Sequence, residues 1–184
     1  MAAPAAALPI ETWPDIPDRD GYEYVDGRWV KVPMGTESVV VSFQVAKRLE
    51  TFVQRTKAGT VFPNEASFQI WPTHPKRYRK PDGAFIARGR LPGDRVPVKH
   101  VNVVPDLVIE VVSPFDRGSD MDDKLREYQE AGVRLIWVIY PHSRRAHVHR
   151  LDGTALVLGE DEFLTGEDVL PGFKLRLRDV LQPE

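Results

Sequence analysis

The sequence predicts an α/β fold in which a mixed central β-sheet is flanked by helices. Three observations carry this. Residues 39–56 repeat apolar side chains at three- and four-residue steps, residues 101–112 are almost continuously apolar, and that apolar run is followed by a helical stretch and a second apolar strand. At 184 residues, with 42% hydrophobic and 28% charged residues, the chain lies in the globular range and is long enough to bury a core without disulfides or a structural metal.

The elements follow in order. MAAPAAALPI lacks a basic start and is broken by Pro4 and Pro9, so it makes a poor secretory signal, and residues 1–20 are expected to form a loose tail. Residues 21–184 are then expected to form a single domain, since no linker or repeat divides them. YEYV and RWVKV flank Asp26 and Gly27, a strong signal for an N-terminal hairpin. In residues 39–56 the stripe Val39, Phe43, Ala46, Leu49 and Val53 predicts an amphipathic helix, with Gly59 as its stop.

Residues 61–71 and 79–87 read as strands separated by a Pro-containing basic loop expected to face solvent or a ligand. Residues 101–112 suit a central strand covered on both faces. Ser119 and Asp122 read as an N-cap with its capping-box partner, and Gly132 ends the helix of about 12 residues that they start. LIWVIY, beginning at Leu135, is a buried strand, and residues 146–158 form a C-terminal hairpin around Asp152 and Gly153.

Composition narrows the chemistry. With no cysteine, thiolate metal sites and cysteine nucleophiles are excluded. No apolar stretch approaches the ~20 residues needed to cross a bilayer, which makes a cytoplasmic location the default expectation. A formal net charge of −2 gives no global attraction for phosphates, so any nucleic-acid site must be local. The densest basic cluster is Lys76, Arg77, Arg79 and Lys80, with a smaller one at Arg144 and Arg145, and solvated surface is the plain reading of each. No GxSxG, Walker or GxGxxG pattern is present.

The informative residues are acidic. Along residues 105–113 the strand period places Asp106, Val108, Glu110 and Val112 on one face and Leu107, Ile109 and Val111 on the other. A carboxylate in so apolar a run needs a cation, a metal or a hydrogen-bond donor, so Glu110 is either a site residue or half of a structural ion pair. Asp82, after Pro81, comes to lie beside Glu110 if the two strands pair; otherwise it is a turn-capping aspartate. Two converging carboxylates repel unless a divalent ion joins them, and oxygen-only ligation suits Mg2+ or Mn2+. Asp120, Lys124 and Tyr128 share one helical stripe, where Lys124 either stabilises developing negative charge or pairs with Asp120. His147 and His149 share a strand face without a further ligand, and an exposed hairpin explains them.

RKPDGAFI and PDLVIEVVSPFDRGSDMDDKLREYQEAGVRLIWVIYP, with YEYVDGRWV, VFPNEASFQI and LPGFKLRLRDVL, resemble the Uma family of restriction-endonuclease-like proteins within the PD-(D/E)XK nuclease superfamily. The resemblance covers nearly everything after the first twenty residues. It implies a restriction-endonuclease-like core with Asp82 as the motif aspartate and Glu110 as the acid of the next strand. The superfamily lysine usually lies two residues past that acid, where this chain has Val112; Uma-like sequences resemble a migrated-lysine variant, which implies Lys124. Glu65 is a further metal-ligand candidate, ranked below these three. A histidine often found near the start of the first helix in this family has no counterpart, the chain reading Glu37 and Ser38 there.

The leading expectation is therefore a Mg2+- or Mn2+-dependent endonuclease acting on DNA through Asp82, Glu110 and Lys124, with the basic residues 76–80 on the backbone. The alternative is a non-catalytic nucleic-acid-binding or assembly module, as a homodimer, that keeps the fold. A third reading makes the acids purely structural.

Overall fold

The structure, a computed structural model, describes residues 9–32 and 35–181. Its centre is a six-stranded mixed sheet in the order β3-β4-β5-β6-β7-β8, formed by β3 (Gly59–Pro63), β4 (Gly83–Ala87), β5 (Leu107–Val111), β6 (Leu135–Tyr140), β7 (Arg145–Arg150) and β8 (Ala155–Gly159). Only β5 and β6 run parallel, and their crossover is helix α2 (Gly118–Ala131); every other pair is antiparallel. Helix α1 (Thr36–Thr56) precedes the sheet. A hairpin of β1 (Tyr22–Val25) and β2 (Arg28–Lys31) and a short ladder of β9 (Phe163–Thr165) with β10 (Lys174–Arg176) stand outside it.

The two sheet faces carry two cores, as alternation along β5 dictates. Leu107, Ile109 and Val111 pack with Val41, Val45, Leu49 and Val53 of α1, together with Trp137, Phe173 and Leu175. Val108 on the opposite face packs with Ala84, Ile86, Ile136, Val138 and, from α2, Met121 and Tyr128. Glu110 points to this second face and is fully buried there.

Several expectations shift. The buried row of α1 is Val41, Val45, Leu49 and Val53, while Phe43 is exposed. Three consecutive valines at 39–41 leave the phase of the stripe open, and the core takes the row in register with Leu49. The strand expected over 61–71 stops at Pro63, because Glu65 takes a left-handed turn at φ 71°. The strand expected over 79–87 begins only at Gly83, after Pro81, and Arg79 makes a single bridge to Phe68. α2 starts at Gly118 with Arg117 at its N-cap, so the Ser119–Asp122 capping box does not form; Gly132 does close the helix, at φ 91°. The residues 146–158 hairpin is β7 and β8 at one edge of the main sheet.

Residues 1–8 lie outside the described residues, but Ile16 is buried and its carbonyl accepts from His100 Nε2 at 2.7 Å. Asp18 pairs with Lys80 Nζ at 2.9 Å, and the Pro14 carbonyl accepts from Gln69. This segment is held by hydrogen bonds from the body. No described helix is long and apolar enough to cross a membrane.

Candidate active site

The antiparallel pairing of β4 with β5 sets Gly83 opposite Ile109, so Asp82, one residue before β4, meets β5 at Glu110. Its Oδ2 accepts the Val111 N–H at 2.7 Å. The expected juxtaposition of Asp82 and Glu110 is therefore present. Burial, and next the charge of Glu110, push the Asp82 carboxyl up to about 7, against the pull of Lys124 and the Val111 amide.

Helix α2 lays its Lys124 and Tyr128 over Glu110. Lys124 Nζ donates to Glu110 Oε2 at 3.1 Å and Tyr128 Oη donates to Oε1 at 2.8 Å. The four-residue spacing puts both donors on one helix face. Burial still holds the Glu110 carboxyl above its ordinary value, with Glu23 adding to the effect and Lys124 opposing it. Burial also works against the charge of Lys124, but Glu110, Glu23 and Asp82 outweigh it and keep the ammonium protonated. The alternative pairing with Asp120 does not occur: Asp120 is exposed and accepts from Ser119 Oγ.

Sequence reasoning missed a third acid. Glu23 of β1 is buried, and its Oε1 lies 3.4 Å from Lys124 Nζ while accepting the Lys80 N–H at 2.9 Å. Its Oε2 meets Arg79 at 2.8 Å. The turn at Asp26 and Gly27, both at positive φ, folds β1 onto β2, and backbone bonds between Tyr24 and Tyr78 fasten the hairpin beside Arg79. The signal was available: in YEYV, alternation puts Glu23 on the opposite side of the strand from two tyrosines, where a body-facing acid needs a partner.

The basic cluster is not the solvent-facing surface expected. Arg77, Arg79 and Lys80 are buried, and Lys76 alone of the four is exposed. Arg79 bridges two acids, meeting Glu23 on one side and Glu127 through Nε at 2.8 Å and Nη2 at 3.0 Å on the other. Arg77 joins Asp26 at 2.6 Å and Glu127 at 3.5 Å. Lys80 is held by Asp18 and by Glu65, the latter at 2.8 Å. The Glu65 carboxylate is thus engaged with Lys80. The other acid of the β5 register, Asp106, sits at the far end of the strand on Arg90 and the Ala87 amide. His147 and His149 lie on β7 with rings 6.1 Å apart, next to Tyr140.

A cleft of about 200 Å³ lined by Glu23, Lys31, Arg79, Asp116, Asp120 and Lys124 opens this network toward solvent. Among the described residues no group of three or more His, Cys, Asp or Glu is arranged to hold a metal. The donor set nevertheless suits one hard cation: Mg2+ binds through one or two carboxylates and keeps water or phosphate oxygens as its remaining ligands.

No curated protein sequence matches the chain significantly. Among solved structures it is similar to a putative nuclease belonging to DUF820 from Anabaena variabilis ATCC 29413, at 17% identity and a TM-score of 0.74, covering 90% of this chain and 92% of that one. At that identity the likeness is one of fold. The family model described as Uma2, putative restriction endonuclease, matches residues 9–178, beginning within the segment expected to be a tail. The chain belongs to the Uma2 family, with a nuclease-like fold carried by the mixed six-stranded sheet.

Proposed function

We propose that this protein is a metal-dependent endonuclease that hydrolyses DNA phosphodiester bonds. One observation carries the reading: Asp82 and Glu110 meet across the β4–β5 pair, and Lys124 Nζ lies 3.1 Å from Glu110. Asp82 and Glu110 are the residues that hold Mg2+ or Mn2+, which when bound polarises the phosphate and lowers the pKa of a coordinated water. Lys124, kept protonated by its carboxylate neighbours, supplies a fixed positive charge to the phosphoryl oxygens as negative charge builds on them. Tyr128 orients Glu110 by donating to the oxygen that Lys124 leaves free. Arg77, Arg79 and Lys80 are consumed by internal ion pairs, so backbone contacts in this reading fall to exposed residues such as Lys76 and Lys31.

The test is isothermal titration of Mn2+ into the wild type and Asp82→Ala, with plasmid nicking on the same samples. The expected result is specific binding and nicking that both disappear in the variant. Absence of Mn2+ binding by the wild type, even with DNA present, overturns the endonuclease and favours the non-catalytic module of the same fold.

A further inference from the structure

Lys124 stands between two buried carboxylates on different elements, Glu110 of β5 at 3.1 Å and Glu23 of β1 at 3.4 Å. Both acids are almost wholly shielded from water, so neither is a surface partner of convenience. Their surroundings differ. Glu110 has Tyr128 on its other oxygen and Asp82 beside it, whereas Glu23 is anchored by the Lys80 N–H and by Arg79. Arg79 is fixed in turn by the two-point contact with Glu127 on α2.

In the metal-dependent reading above, on which this inference rests, a cation on Asp82 and Glu110 and the ammonium of Lys124 compete for the same Glu110 oxygens. A lysine with no second acid either blocks the ion or is driven off as like charge. We propose that Glu23 is a positioning residue that takes over Lys124 when a divalent cation occupies Glu110, so that the ammonium stays at the site and its charge remains compensated. The N-terminal hairpin is then part of the active site, because it carries the carboxylate that lets metal and lysine coexist.

The experiment is a cycle of Mn2+ affinities by titration calorimetry for the wild type, Glu23→Gln, Lys124→Met and the double variant. Glutamine keeps an oxygen for the Lys80 amide, and Arg79 keeps Glu127. In Glu23→Gln the lysine has Glu110 alone, and Mn2+ affinity is expected to fall on the order of tenfold. In the Lys124→Met background there is no lysine to hand over, and the same substitution should leave affinity within about twofold or raise it. Equal losses in both backgrounds overturn the role of Glu23 and leave the metal site standing. Absence of Mn2+ binding by the wild type overturns both readings. A crystal structure of the wild type with Mn2+ gives an answer that needs no variant to fold. Lys124 Nζ on Glu23 supports the handover; a lysine still on Glu110, or swung into solvent, refutes it.

Discussion

Asp82 accepts the backbone N–H of Val111 at 2.7 Å, which ties the aspartate to the amide immediately after Glu110. One hydrogen bond thus fixes the acid just before β4 beside the acid of β5. It stabilises the ionised form of Asp82, yet burial and the neighbouring carboxylate win, and the Asp82 carboxyl sits at about 7. A carboxyl at about 7 exchanges its proton near neutral pH, and in the metal-dependent reading a divalent cation would compete with that proton.

The stability of the metal-free protein should report this carboxyl. In the unfolded chain an aspartic acid titrates near 3.9. Between there and about 7 the folded protein holds a proton that the unfolded chain has released, so stability falls as pH rises and the loss is complete above the folded value. Asp82→Asn removes the effect. In urea unfolding with EDTA the variant should match the wild type near pH 4 and exceed it at pH 8 by on the order of 2 kcal/mol, a figure reduced for partial exposure. A gap between the two proteins that does not change with pH contradicts the assignment.

Tyr128→Phe should act through Glu110. The phenol donates to Oε1 at 2.8 Å inside the second core, and phenylalanine fills the same space without the hydroxyl. Loss of a hydrogen bond to a buried charge costs roughly 1.5–3 kcal/mol. Because the lost donor favours the ionised carboxylate, the Glu110 carboxyl should move further up and Mn2+ affinity at pH 6 should drop more than at pH 8. Unchanged affinity at both pH values, in a protein that is destabilised, confines Tyr128 to packing.

Much of this was legible in the sequence, and the limits have physical causes. The strand period alone placed Glu110 and Val108 on one face, and helical spacing placed Lys124 and Tyr128 together, because both depend only on local geometry. The meeting of Asp82 with Glu110 depended on strand pairing, which the sequence left conditional and the antiparallel register supplies. Alternation in YEYV marks Glu23 as a body-facing acid, but its partners and those of Glu127 are set by long-range contacts: Glu23 lies on a hairpin outside the main sheet and meets Arg79 56 residues away and Lys124 on α2, while Glu127 meets Arg79 48 residues away. The same contacts explain why the basic cluster misled. Charge density in the sequence does not distinguish a solvated lysine such as Lys76 from an arginine buried against two acids.

That difference is testable residue by residue. Arg79→Met leaves Glu23 and Glu127 buried with a shared cation removed, and breaking a buried pair from one side costs about 3–5 kcal/mol. The Tm should fall sharply, and Arg79→Lys should rescue little, since one ammonium cannot reproduce the contacts that Nε, Nη1 and Nη2 make. Lys76→Met should change stability by less than about 0.5 kcal/mol. Thermal unfolding of the three variants decides it: a wild-type-like Tm for Arg79→Met places the arginine on the surface, against the buried network.

The hairpin turn provides the last prediction, because it separates local structure from the site. Gly27 is at φ 84°, a left-handed conformation, and a Cβ built there meets nothing within 4 Å. Any cost of Gly27→Ala is therefore backbone strain and not a clash, about 1 kcal/mol, and asparagine, which tolerates this region, should cost less. The strain falls on the strand that carries Glu23. Amide exchange in β1 and β2 should speed up in Gly27→Ala while β4 and β5, which hold Asp82 and Glu110 in register, keep their protection. With the hairpin loosened, Lys124 loses its second carboxylate partner, Glu23, and Mn2+ binding should weaken along with β1 protection across the series Gly27, Gly27→Asn and Gly27→Ala. If exchange in β1 rises with no change in Mn2+ affinity, the hairpin is a cover for the sheet and no part of the site.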